Sequence, residues 1–159
     1  MPAKSEARSA SQDAEYRLDQ QIGFRLRVAM QLHTDIFFRN MQFGLTQAQL
    51  ASMVRLMEFG PCSQNRLGRL AALDSASIVG VMTRLRARKF VTIKKDPIDK
   101  RRIVIDLTAE GRKVTLRAMA LGREANDQTL ASLNVTQRSQ LLELLTLMAP
   151  TEPRDEIGS

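Results

Sequence analysis

The sequence predicts a mainly α protein with one small β-hairpin, and three observations carry that fold class. Apolar residues recur at steps of three and four along most of the 159-residue chain, the period of helices with one buried face. Only two short runs, Val91-Thr92-Ile93 and Ile103-Val104-Ile105, are β-branched and alternate as paired strands do. Gly and Pro number only eight and five, sparse enough to favour a helical protein, and Gly44, Gly60-Pro61 and Pro150 sit at the edges of the periodic segments.

Composition narrows the class further. A chain of this length is one domain by the length prior, and long enough to bury an ordinary core. The 43% apolar and 26% charged residues are those of a soluble globular protein, and with 4% aromatics and no Trp the core must be aliphatic. The net charge of +7 is unevenly placed: residues 63–117 hold 14 basic and 5 acidic side chains, and the rest of the chain 10 and 12. An anionic partner is therefore expected at that one segment, nucleic acid before membrane. Cys62 is the single cysteine, so no intrachain disulfide can form and a reducing, cytoplasmic setting is expected. No apolar run reaches the roughly 18 residues that span a bilayer, and the N-terminus lacks a signal-peptide core.

In chain order, residues 1–16 are Ala, Ser and balanced charge without periodicity, and are expected to be a disordered arm. A long helix follows from about Arg17 to Met41, with Ile22, Leu26, Met30, His33, Phe37 and Met41 on one stripe. Leu18, Leu32, Ile36 and Phe38 broaden that stripe, which suggests packing against a second subunit. His33, the only histidine, is either a hydrogen-bonded core or interface residue or a polar anchor in a ligand cavity. Arg25 and Arg27 flank it. Gly44-Leu45 breaks the chain, and Thr46-x-x-Gln49 has the spacing of a capping box. The next helix, with Leu50, Val54 and Met57 as its expected buried face, stops at Gly60-Pro61.

Ser63 is the expected N-cap of a third helix that turns Leu67, Leu70 and Ala71 inward. Asp74 caps a fourth, from Ser75 to about Lys89, which buries Ile78, Met82 and Leu85. Its other face carries Ala76, Gly80, Thr83 and Ala87, flanked by Ser77, Val79 and Arg84. Small residues there let a helix seat deeply in a groove; Ser75, Ser77 and Thr83 offer hydrogen bonds and Val79 a contact for a thymine methyl. Two helices joined by a tight turn, the second so built, predict a helix-turn-helix. The strand pair then forms a hairpin around Asp96-Pro97, with Lys94, Lys95, Lys100, Arg101 and Arg102 about its tip. A basic run alone would be read as a solvated face, but a basic ribbon beside such a helix is a wing. Thr108 caps a helix to about Leu130 with Val114, Ala118, Leu121 and Ala125 inward. A last helix is expected with Thr136 as cap and Leu141, Leu145 and Met148 on one face; Pro150 ends it, and 150–159 is a polar tail.

These residues resemble the MarR family of winged helix-turn-helix regulators. The carriers are Leu45-Thr46-Gln47-Ala48-Gln49, Ser63-Gln64-Asn65-Arg66-Leu67, Arg84-Leu85-Arg86-Ala87-Arg88, the wing Asp96-Pro97-Ile98-Asp99-Lys100-Arg101, and Leu107-Thr108-x-x-Gly111. Their order and spacing hold from about Gly23 to Met148. The resemblance implies a single domain over 17–149, with dimerisation helices at 17–42 and 109–149 around a winged helix-turn-helix at 46–107. It implies an obligate homodimer in which Ser75 to Arg84 reads the major groove, Arg101 enters the minor groove, and Asp96 or Asp99 orients that arginine. It also implies a small aromatic or phenolic acid effector in a cleft between the dimerisation helices and the winged lobe, for which His33, Phe24, Arg27, Phe37 and Met57 are the expected lining. Two features depart from the family pattern. Lys89-Phe90 stands where Gly-Leu is usual, and Lys100 extends the charge of the wing tip.

The expected function is thus a sequence-specific, DNA-binding transcriptional repressor released by such a ligand. The expected DNA contacts are Ser63, Gln64, Asn65, Arg69, Ser75, Ala76, Ser77, Val79, Gly80, Thr83, Arg84, Arg88, Lys94, Lys95, Lys100 and Arg101. Of these, Ser63, Asn65, Arg69, Arg84, Arg88, Lys94 and Lys95 are candidates for phosphates. A two-fold dimer predicts a palindromic duplex operator with half-sites roughly 10 bp apart. Two alternatives stand beside it: an oxidant sensor working through Cys62, whose place before a helix could lower its pKa, and a nonspecific nucleoid-binding protein. An enzyme is not expected, since one His and one Cys cannot build a metal cluster and no Gly-rich phosphate loop or acid–base carboxylate pair is present. No cofactor is expected.

Overall fold

The computed structural model describes residues 16–151. The expected arm therefore lies outside the described residues except for Tyr16, and the expected tail except for Pro150 and Thr151. The described chain is mainly helical with one two-stranded antiparallel sheet. Its helices are α1 (Ile22–Asn40), α2 (Gln47–Phe59), α3 (Gln64–Leu70), α4 (Ser75–Ala87), α5 (Ala109–Thr129) and α6 (Val135–Met148), with strands β1 (Val91–Lys95) and β2 (Ile103–Leu107) between α4 and α5.

The chain divides into two compact units whose boundary falls inside α1, between Leu32 and His33. In the first, a 3-10 turn over Leu18–Gln20 precedes the helix, because Gln21 is extended at φ −82°, ψ 128°. The long helix thus starts five residues later than the expected Arg17. Arg27 lies over the Phe24 ring at 5.4 Å, and Leu18, Ile22, Val28, Met30 and Leu32 are exposed.

In the second unit one aliphatic core joins α2, α3, α4, the sheet and α5, with Leu45, Met53, Leu56, Leu67 and Leu85 wholly buried. On α2 the buried face is Leu50, Met53 and Leu56 rather than Leu50, Val54 and Met57. Met57 only packs at its edge. The difference is a rotation of about 100° per residue step on the helical wheel, which the apolar pattern of this short helix could not resolve. Thr46 and Gln49 form the expected capping box, with Gln49 N–H donating to Thr46 Oγ1 at 3.2 Å and Thr46 N–H to Gln49 Oε1 at 3.0 Å. The last helix is capped by Asn134, not Thr136. Asn134 and Gln137 exchange backbone and side-chain bonds at 2.9 Å, so Asn-x-x-Gln does the reciprocal work expected of Thr.

The end of α4 explains how Lys89 stands in for glycine. Lys89 adopts φ +59°, its N–H bonds Arg86 O at 2.9 Å, and Phe90 N–H bonds Leu85 O at 3.0 Å. This is a Schellman closure with a lysine in the left-handed position, where a Cβ costs about 1 kcal/mol. Lys89→Gly is expected to raise stability by about 0.5–1 kcal/mol in urea unfolding; a loss of stability would show that Lys89 makes a compensating contact.

β1 and β2 pair from Val91 opposite Leu107 to Lys95 opposite Ile103, each strand two residues longer than its apolar run. Cys62 adds a bridge to the outer side of β2, with Ile105 N–H donating to Cys62 O at 2.8 Å and Cys62 N–H to Ile105 O at 3.2 Å. The segment entering α3 is thereby tied to the wing sheet.

Candidate nucleic-acid interface and effector cavity

Asp74 caps α4, accepting from Ser77 N–H at 2.7 Å and from the Ser77 hydroxyl at 3.0 Å. The Ser77 amide holds the Asp74 carboxyl below the usual carboxylate range. Ile78, Val81, Met82 and Leu85 are buried, so Ser75, Ala76, Ser77, Val79, Thr83, Arg84 and Ala87 are left on the open face, with Gly80 half-buried beside them. Val81 is buried beside the three residues expected. The hydroxyl protons of Ser77 and Thr83 are already used, the latter on Val79 O at 2.9 Å, so towards a ligand these two offer only lone pairs. Ser63 caps α3, and Gln64, Asn65 and Arg69 lie on that helix with Asn65 and Arg69 exposed.

The wing tip is built from backbone bonds. Asp96 Oδ1 accepts from the N–H groups of Ile98 (2.8 Å) and Asp99 (3.3 Å), and Asp99 Oδ1 accepts from Arg101 N–H at 3.0 Å. Neither carboxylate pairs with the Arg101 guanidinium. The two short turns they form fix the backbone that carries Arg101.

Cations on this face fall into two groups. Lys94, Lys95, Lys100, Arg101, Arg102 and Arg84 are exposed, and among the described residues none of their side chains is taken up by a hydrogen bond or ion pair. Arg88 differs. Its guanidinium donates to the carbonyls of Phe43 and Gly44 and lies 4.6 Å from the Phe90 ring centroid. It clasps the end of α4 to the loop before α2, which leaves only the remaining guanidinium N–H groups for the expected phosphate contact.

Cys62 is buried, and burial pushes its thiol up despite the nearby Arg66 cation. Its position before a helix was expected to favour a thiolate, but desolvation outweighs that. A buried thiol with a raised pKa lacks the thiolate character of a peroxide-reactive one, which weighs against the oxidant-sensor alternative.

A cleft of about 430 Å³ opens beside α2 and α5, lined by His33, Phe37, Gln47, Leu50, Ala51, Val54, Arg55, Met119, Gly122, Arg123 and Asn126. Of the expected set His33 and Phe37 line it; Met57 does not, and Phe24 and Arg27 belong to the first unit. The lining that sequence reasoning missed comes from α2 and α5, which are distant in the chain. One signal was available: Gly122 interrupts a helical pattern, and a Cβ there would touch Leu50 Cδ2 at 3.5 Å. Two arginines sit in the wall. Arg55 is held by Leu70 O (2.9 Å) and Glu58 (2.8 Å), whereas the Arg123 side chain has no partner among the described residues. His33 Nδ1 lies 2.9 Å from Thr129 Oγ1.

A capped helix with a small-residue face, a tight turn before it and an unpaired cationic ribbon after it define a winged helix-turn-helix DNA-binding transcriptional regulator. The MarR family model matches residues 45–103. The chain is 33% identical to the HTH-type transcriptional repressor NicR of Pseudomonas putida over 96% of this chain and 98% of that one. Among solved structures, a probable transcriptional regulator from Pseudomonas aeruginosa is 44% identical with a TM-score of 0.80, covering 83% of this chain and 99% of that one. BpsR of Bordetella bronchiseptica, whose DNA binding is regulated by 6-hydroxynicotinic acid, is 31% identical with a TM-score of 0.80 over 86% and 99%. The chain belongs to the MarR family.

Proposed function

We propose that this protein is a cytoplasmic, homodimeric repressor that binds a palindromic duplex through α4 and the wing and is released by a small aromatic acid held in the His33 cleft. One observation carries the release reading: Arg55 lines the cleft and also holds Leu70 O, the carbonyl at the end of α3. A carboxylate beside Arg123 and Arg55 competes for the second guanidinium, and what Arg55 yields is a bond supporting the turn between α3 and α4. A volume of about 430 Å³ whose wall sets Phe37, Leu50, Val54 and Met119 beside His33 and two arginines suits an aromatic acid. Regulation by 6-hydroxynicotinic acid in BpsR and the repressor role of NicR support the same class of ligand and outcome.

On the DNA side, Ser63, Asn65, Arg69, Arg84, Lys94 and Lys95 are assigned to phosphates; Ser75, Ala76, Ser77, Val79, Gly80 and Thr83, with Gln64, to the major groove; and Lys100 and Arg101 to the wing contact. The exposed Leu142, Leu144 and Leu147 of α6, and the apolar residues uncovered in the first unit, are the surface a second copy would cover. The domain limits inferred from the family pattern, 17–149 with the winged lobe at 46–107, are kept on this reading.

The test is fluorescence anisotropy on an operator selected from a random duplex pool. Adding 6-hydroxynicotinate is expected to release the wild-type protein, and His33→Ala to raise the concentration needed about tenfold, the worth of one hydrogen bond to a charged or polar ligand group. Release by aromatic acids that is unaltered in His33→Ala would place the effector elsewhere. The ligand need supply only a few kcal/mol of differential affinity between the two lobe arrangements.

A further inference from the structure

We propose that Thr129 sets which groups an effector must carry, by fixing the proton of His33 on Nδ1; this rests on reading the cleft as the effector site. Thr129 Oγ1 donates its only proton to Ala125 O at 2.7 Å. Towards His33 Nδ1, 2.9 Å away, it has only lone pairs to offer. Nδ1 therefore carries the hydrogen, and in the neutral ring Nε2 is left as a bare acceptor. No side chain or backbone group among the described residues bonds Nε2, and the ring lines the cleft. Free imidazole side chains favour the opposite tautomer, so the hydroxyl is a constraint on the ring and not a bystander.

The consequence is a rule of complementarity. An acceptor in the wall selects a ring bearing a hydroxyl or N–H, and disfavours one that presents only a lone pair, because a desolvated acceptor facing another acceptor loses its bond with water and gains none. Arg123 and Arg55 supply the cationic end for a carboxylate. The favoured effector class is a hydroxylated aromatic or pyridine carboxylate, against its unhydroxylated parent. Thr129 touches no ligand on this account; it is a positioning residue acting through His33.

Two measurements on the full chain test this. His33 is the sole histidine, so long-range ¹H–¹⁵N correlation spectra at a pH where the ring is neutral report one tautomer without any ligand. The wild type is expected to show Nδ1–H and Thr129→Val to move to Nε2–H, with Thr129→Ser restoring the wild-type pattern. Nε2–H in the wild type overturns the inference outright. In calorimetry, 6-hydroxynicotinate is expected to bind the wild type and Thr129→Ser at least about tenfold more tightly than nicotinate, a preference that falls below about threefold in Thr129→Val. Undiminished preference in Thr129→Val, with the protein folded, overturns the inference while leaving the cleft as the effector site. Failure of both ligands to bind a wild type with the expected tautomer overturns the effector reading of the cleft, and the selection rule with it.

Discussion

Gly111→Ala is expected to destabilise the protein by more than about 3 kcal/mol, lowering Tm by roughly 10 °C. The residue lies in the first turn of α5, where the wing returns to the helix. A Cβ at this position would come within 2.9 Å of the Phe90 carbonyl carbon and overlap the Phe90 oxygen. That oxygen cannot move aside, since it accepts Thr108 N–H at 3.0 Å while the Thr108 hydroxyl holds Lys89 O at 2.7 Å. Gly111 N–H in turn bonds Thr108 Oγ1 at 2.9 Å. An added methyl must therefore push α5 away from the chain entering β1, across a junction already tied by these bonds. Differential scanning calorimetry decides the matter; a Tm within about 2 °C of the wild type would mean that the junction yields.

Arg101→Ala is expected to weaken operator binding at fixed salt by between about tenfold and a hundredfold while the dimer stays intact. An arginine placed in a narrow minor groove is worth about 1–3 kcal/mol of specific binding. One feature sets it apart from the other wing cations: its backbone N–H is anchored by the Asp99 carboxylate at 3.0 Å. Its guanidinium, like their side chains, has no competing partner among the described residues. Lys94 or Lys95 replaced by Ala should instead weaken operator and scrambled duplex alike and flatten the salt slope, as phosphate contacts do. Competition anisotropy with both duplexes, together with sedimentation for the oligomeric state, reads these effects. Equal affinity of Arg101→Ala and wild type for the operator would remove the arginine from the groove, and equal affinity of the wild type for both duplexes would recast the protein as a nonspecific binder.

Both expected effects depend on backbone carbonyls and amides that no side-chain pattern announces. Leu107-Thr108-x-x-Gly111 could be seen in the sequence as a helix start, but the reason for its glycine lies at Phe90, on the far side of the hairpin. Arg88 is the reverse case. By charge and spacing it belonged with Arg84 among phosphate contacts, yet it is drawn to the carbonyls of Phe43 and Gly44. A cation's role depends on what lies within reach of its long side chain, and that is a tertiary fact.

The winged architecture, its caps and the charge of its open face were legible because each follows from local rules. Periodicity selects helix or strand, Thr46, Ser63, Asp74 and Thr108 satisfy the amides of the turns they begin, and the cations are concentrated in one stretch of sequence. What only the tertiary structure decided are the relations between segments far apart in the chain. The α2 face turned so that Val54 lines the cleft, Cys62 came to be buried, and Arg55 reached from the cleft to the end of α3. Thr129 came to lie against His33 across 96 positions of sequence. Desolvation and hydrogen bonding act over a few ångströms of space, and distance along the chain carries no measure of either.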